Sequence, residues 1–191
     1  RAMQTGITTG DYNIAIGYKS GEQLTSGTET TIVGSQAGDA LTTGNSNTAI
    51  GYNALSGETT GGTNTAIGRS ALQSQNSGND AYNVAVGYNA GAANVVGIRN
   101  TLVGGLAGDS LTGSYNTALG MFALSAETGG SANTALGYAA LNALNVNGLG
   151  YNVAIGHEAG AVMSTGTKNT IVGALAADAM GTGHSSVAIG Y

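Results

Sequence analysis

The chain has no cysteine, no proline and no tryptophan, holds a single phenylalanine, and carries charge on only 8% of its residues. Each shortage removes a class of protein. Without cysteine there is neither a disulfide framework nor a thiolate metal site. A charged fraction far below the roughly 25% of an ordinary soluble domain leaves little to clothe a globular surface. Five Lys and Arg against ten Asp and Glu give a net charge of -5 and no basic stripe. The electrostatic term behind sequence-independent phosphate binding is therefore missing, and nucleic acid is not an expected partner. No apolar run approaches the roughly 18 residues of a membrane span, and the start at Arg1 lacks the pattern of a secretory leader, so no membrane insertion is expected.

What the chain has instead is glycine, 34 of 191 residues, with Asn, Thr, Ser and Ala abundant beside it. These residues are written as a repeat, which must be read before anything else. A five-residue cassette recurs as NIAIG at 13, TTIVG at 30, NTAIG at 47 and 64, NVAVG at 83, NTLVG at 100, NTALG at 116 and 133, NVAIG at 152, NTIVG at 169 and SVAIG at 186. The closing glycines, 17, 34, 51, 68, 87, 104, 120, 137, 156, 173 and 190, are 17 apart in seven of ten intervals, 16 apart once and 19 apart twice. Both long intervals lead into a YN cassette, at SGNDAYN and NGLGYN, which places a two-residue insertion at one corner every fourth rung. The whole chain, 1–191, therefore reads as one repeat array with four-rung units at about 1–69, 70–138 and an incomplete 139–191.

Frequent glycine and a period of two within each short run exclude helix and predict a strand with turns. One rung is too small to bury its own apolar side, so stability must come from stacking like on like. The predicted fold is all-β, a parallel β-solenoid of about eleven rungs of about 17 residues. Asn13, Asn47, Asn64, Asn83, Asn100, Asn116, Asn133, Asn152 and Asn169 open their cassettes and predict an Asn ladder at one corner. A glycine three residues earlier, as at Gly10, Gly27, Gly44 and Gly97, predicts a corner with positive φ. Ile16, Val33, Ile50, Ile67, Val86, Val103, Leu119, Leu136, Ile155, Val172 and Ile189 hold one position without exception and are assigned to the interior as an aliphatic column. A further large residue moves between slots: Ile14, Val84 and Val153 in one rung type, Ile32, Leu102 and Ile171 in the next, Leu55, Leu72, Leu124 and Leu141 in the others. Such an exchange of volume is what a close-packed interior demands. The opposite side of the strand, built of Ala and Gly, is expected to be flat and to pack against identical copies.

Segments such as NTAIGYNAL (47–55), NTALGYAAL (133–141) and SVAIG (186–190) resemble the YadA-like head repeat of trimeric autotransporter adhesins. They are still more similar to the NTAIGYxAL repeats of phage tail fibres and large bacterial surface proteins. The resemblance covers the whole chain, although the repeat here is longer than the autotransporter one. It implies a parallel homotrimeric fibre, extracellular, on a cell surface or virion, that displays a host-attachment tip. The ends of the array are uncapped, so further repeats or capping domains are expected on both sides.

No constellation of reactive side chains emerges. Asp39, Asp109 and Asp178 are equivalent but four rungs apart, on the order of 19 Å, whereas a glycosidase pair needs roughly 5 to 9.5 Å. These and the other carboxylates are expected to be solvated or to cap turns. His157 and His184 stand in different rung types, GGLAG (104–108) lacks the Lys of a phosphate loop, and no serine sits in a strand-elbow-helix context. The expectation is a non-enzyme without cofactor or metal. Tyr18, Tyr52, Tyr88, Tyr138 and Tyr191 share the slot after the closing glycine; they predict a surface or interface stripe, or a glycan-binding one. Thr48, Thr65, Thr101, Thr117, Thr134 and Thr170 form a column, which keeps an ice- or polysaccharide-binding monomer as the alternative to a structural fibre shaft.

Overall fold

The structure, a computed structural model, describes residues 9–191; the first eight residues of the expected first unit lie outside the described residues. Among the described residues there is no helix. In chain order the strands are β1 (Ile14–Ile16), β2 (Thr31–Val33), β3 (Thr48–Ile50), β4 (Thr65–Ile67), β5 (Val84–Val86), β6 (Thr101–Val103), β7 (Thr117–Leu119), β8 (Gly130–Ser131), β9 (Thr134–Leu136), β10 (Gly148–Leu149), β11 (Val153–Ile155), β12 (Thr170–Val172) and β13 (Val187–Ile189). Eleven of them form one sheet in sequence order, all parallel, while β8 and β10 make a separate pair at a corner. This is a parallel β-solenoid in which each turn adds one strand.

Register follows the repeat. Thr48, Ala49 and Ile50 of β3 stand level with Thr65, Ala66 and Ile67 of β4. Across the first insertion Thr65 still meets Val84, and across the second Thr134 meets Val153. The extra residues are thus absorbed at the corner, because a slip of one residue in the strand would turn every side chain to the wrong face.

The interior corrects the predicted one. The middle residue of each sheet strand points inward, and in eight of the eleven it is alanine: Ala49, Ala66, Ala85, Ala118, Ala135 and Ala154 are fully buried. A second alanine column, Ala37, Ala54, Ala71, Ala90, Ala107, Ala123, Ala140 and Ala159, lies three residues past the closing glycine and is also fully buried. The column from Ile16 to Ile189 assigned to the interior lies outside instead. Ile16 is 60% exposed, Leu119 44% and Ile155 38%, and Val33, Ile67, Val86, Val103 and Val172 are half-buried. Ile50, Leu136 and Ile189 are exposed as well. The reason is strand alternation: Asn and the middle residue are two apart, so a ladder turned inward carries the middle residue in and the aliphatic one out. The aliphatic side and the small side have therefore exchanged places relative to expectation.

Volume is traded as expected for two of the three large sets. Ile32, Leu102 and Ile171 fill the strand slot, and Leu55, Leu72, Leu124 and Leu141 fill the later slot, all fully buried. Ile14, Val84 and Val153 do not belong with them, since they take the first strand position and face out. Their rungs have no large residue in either slot; at Gly91 the space is taken by Leu72 from the rung below and Leu102 from the rung above. A Cβ built there would stand 2.8 Å from Leu102 Cδ1 and 3.0 Å from Leu72 Cδ2. The four-rung unit is thus a packing period. A third interior column, seven residues past the closing glycine, was not anticipated: Leu24, Leu41, Leu111, Leu144 and Met163 are buried there.

The corner glycines also act differently from expectation. Gly27 and Gly44 are not among the positive-φ residues. They are needed for close approach: a Cβ on Gly27 would come 2.6 Å from Gly44 O and 2.8 Å from Leu24 Cδ1. The left-handed residue is the one just before the Asn, as at Tyr82 (φ 53), Arg99 (φ 56) and Tyr115 (φ 61). For a side-chain-bearing residue this costs on the order of 1 kcal/mol, a strain that the neighbouring ladder holds in place.

Candidate interaction face

The predicted asparagines line up along the inside of the sheet edge, buried from Asn47 to Asn169. Their link is amide to backbone of the next rung. Asn64 N–H donates to Asn47 Oδ1 at 3.0 Å, Asn100 N–H to Asn83 Oδ1 at 2.9 Å, and Asn133 N–H to Asn116 Oδ1 at 3.0 Å. The amide nitrogen donates onward to the next corner: Asn47 Nδ2 to Gly61 O at 3.0 Å, Asn83 Nδ2 to Gly97 O at 2.8 Å, Asn152 Nδ2 to Gly166 O at 2.8 Å. Asn13 and Asn169 do the same with Gly27 and Gly183. At Asn133, below the second insertion, the amide nitrogen is left without a partner.

Because the ladder turns inward, the outer face carries two parallel columns. One is Thr, Val or Ile at the first strand position, the other the Ile, Val or Leu column at the third. Among the outward side chains of the eleven sheet strands there is no charge. Two further columns flank the strand, and together they hold all nine tyrosines. Tyr18, Tyr52, Tyr88, Tyr138 and Tyr191 follow the closing glycine and are exposed, as is a set that sequence reading missed, Tyr12, Tyr82, Tyr115 and Tyr151, just before the Asn. The signal for the second set was available, since each of the four precedes a ladder asparagine.

The flanking residues contact one another along the rod. Arg69 lies over Tyr52 at 5.9 Å and over Tyr88 at 5.5 Å. On the other side Arg99 sits 5.5 Å over Tyr115 and donates to its hydroxyl at 3.0 Å. His157 stacks on Tyr138 at 5.1 Å, which in turn meets the edge of Phe122 at 6.0 Å. The guanidinium is weakly hydrated and suits such stacking.

The carboxylates divide. Glu58 and Glu127 are fully buried, in the same interior column as Leu24 and Leu144. Glu58 accepts from Gly61 N at 2.8 Å, Thr59 N at 3.1 Å and Ser77 N at 3.3 Å. Glu127 accepts from Gly130 N at 2.7 Å and Val146 N at 3.2 Å. Ser77 and Val146 both belong to the rung that carries an insertion, so each glutamate supplies acceptors where the corner leaves the regular ladder. Burial pushes the Glu127 carboxyl above the ordinary carboxylate range, against its backbone hydrogen bonds. Buried Asn94 caps Gly97 N–H at 2.8 Å in the same way, and Gln75 Oε1 accepts from Asn83 Nδ2 at 3.1 Å.

Asp39 and Asp109 are half-buried and Asp178 exposed; burial raises the Asp39 carboxyl above its ordinary value. His184 Nδ1 accepts from Thr167 N at 3.1 Å. Among the described residues no three His, Cys, Asp or Glu side chains are grouped to hold a metal ion, and no helix is long and apolar enough to cross a membrane. Comparison with protein-family models, with curated proteins and with solved structures found no match.

Proposed function

We propose that this chain is a structural shaft segment of an extracellular adhesive fibre or phage tail fibre, which self-associates through the outer face of its sheet and holds a host-attachment tip away from the cell or virion. One observation carries the reading: an unbroken aliphatic column, from Ile16 to Ile189, on the outside of an eleven-stranded sheet. A rod on the order of 50 Å long with such a stripe would aggregate unless the stripe were covered in an ordered way. The resemblance to trimeric adhesin and tail-fibre repeats supports parallel copies, three in number, as the cover. Nothing in this role needs a reactive side chain, which accords with a chain whose buried carboxylates serve backbone groups.

Sedimentation at micromolar concentration with negative-stain microscopy tests the reading; the expected result is an elongated trimer. A monomer with its aliphatic face bare would overturn it. Thermal hysteresis or glycan binding by that monomer would then favour the ice- or polysaccharide-binding alternative, for which the outward Thr48, Thr65 and Thr117 are suited.

A further inference from the structure

Resting on that self-association, we infer that copies meet border to border in one register: the column preceding each Asn in one copy lies against the column following each closing glycine in the next, with same-numbered rungs level. The observation is a compensation of size within rungs. In seven of the eleven rungs one flanking residue is large or charged and its counterpart small, as with Arg99 and Gly105, Ala132 and Tyr138, or Lys168 and Ala174. The other four pair an aromatic with an aromatic or Met, for example Tyr82 with Tyr88. No rung pairs two small residues, and none pairs two charged ones.

Within one copy this compensation has no cause. The two residues stand on opposite sides of a three-residue strand, and among the described residues the ring and cation contacts that join flanking residues run between rungs, not between the two flanks of one rung. Contact between copies supplies the cause, because a border-to-border joint places these two residues side by side at every level. Charge behaves as such a joint demands: Arg99 faces glycine and Lys168 faces alanine, so neither cation meets another. The area suffices. Eleven strands and the width between borders give at most roughly 1,000 Å² of face per copy; divided between the two joints each copy makes, this buries about 1,000 Å² in total at each joint, the threshold for a specific interface. A joint between unlike borders is heterologous, and such joints close into a ring when the rotation between copies closes, as a three-fold one does.

A chain without cysteine permits a clean test by disulfide trapping in the intact segment. Cysteines bridge only when their Cα atoms are within about 7 Å. The double variants Lys168→Cys/Ala174→Cys and Arg99→Cys/Gly105→Cys each place both thiols in one rung; position 105 has open space for a Cβ. Under mild oxidation each should give covalent oligomers up to the full size seen by sedimentation, while each single variant and the mismatched Ala132→Cys/Ala174→Cys should stay uncrosslinked. Oligomers that form without same-rung bridges, or bridges in the single variants, which would report like borders in contact, overturn the register and leave self-association standing. A monomer by sedimentation overturns both.

Discussion

Asn116 reaches down to Asn100 twice: its backbone N–H donates to Asn100 Oδ1 at 2.8 Å, and its amide nitrogen donates to the same oxygen at 3.2 Å. Asn100 in turn donates its own amide to Gly113 O at 2.8 Å. One side chain therefore satisfies a buried donor and a buried acceptor that belong to the rung above. Asn100→Ala leaves both unpaired, and at about 1 to 3 kcal/mol for each orphaned group the variant should lose about 2 to 6 kcal/mol. Urea unfolding at fixed protein concentration checks this. Threonine, which holds the equivalent place at position 30 and donates to Gly44 O at 3.5 Å, should recover part of the loss.

Leu119 and Leu124 are five residues apart and differ in what surrounds them: the first is 44% exposed, the second 0%. Removing Leu124 leaves a cavity between alanine columns, so Leu124→Ala should cost about 2 to 5 kcal/mol. Leu119→Lys should leave the β signal in circular dichroism intact and shift sedimentation toward smaller species, since the charge lands on the covered face. Equal damage to folding by both would mean that the aliphatic column faces in after all.

The period and the strand register were legible because Asn, Thr, Ala and Ile recur at a fixed spacing, and only stacking uses such regularity. Which side of the strand faces in was not legible from hydrophobicity. Ile50 is larger and more apolar than Ala49, yet the space beside Ala49 is already filled by Leu55 of the same rung, whereas Ile32 takes the same strand slot in a rung whose later slot is Gly38. The phase was present in Asn47, two residues before Ala49 and so on its side of the strand. Glu58 and Glu127 escaped notice because an isolated carboxylate reads as solvated. Counting seven from each closing glycine places them with Leu24, Leu41 and Leu144 and gives them away.

Gly91 tests the packing period. Its φ of +61° and the Leu102 and Leu72 methyl groups at 2.8 and 3.0 Å from an added Cβ make Gly91→Ala an overpacking change in a left-handed position. Such changes cost about 1 to 3 kcal/mol. Gly105→Ala, with nothing near its Cβ, should stay within about 0.5 kcal/mol of the parent. Thermal melts of the two variants side by side decide it; similar midpoints would show that Leu72 and Leu102 do not share the space over Gly91.

Glu127 gives the solenoid a dependence on acid opposite to that of most paired carboxylates. Its folded-state carboxyl titrates above the ordinary value of 4.5 because burial disfavours the charged form. Between that ordinary value and the raised one, the folded chain holds a proton that the unfolded chain has released, so stability falls as pH rises through this window and is level above it. Lowering the pH from neutral toward 4.5 should therefore strengthen the fold through this group. Asp39, also raised by burial, acts in the same direction. Glu127→Gln cannot ionise, so its melting temperature should vary less over the same range while the Asp39 share remains. Parallel pH profiles for the variant and the parent would show that the Glu127 carboxylate is stabilised by its contacts to Gly130 and Val146 as fully as it would be by water.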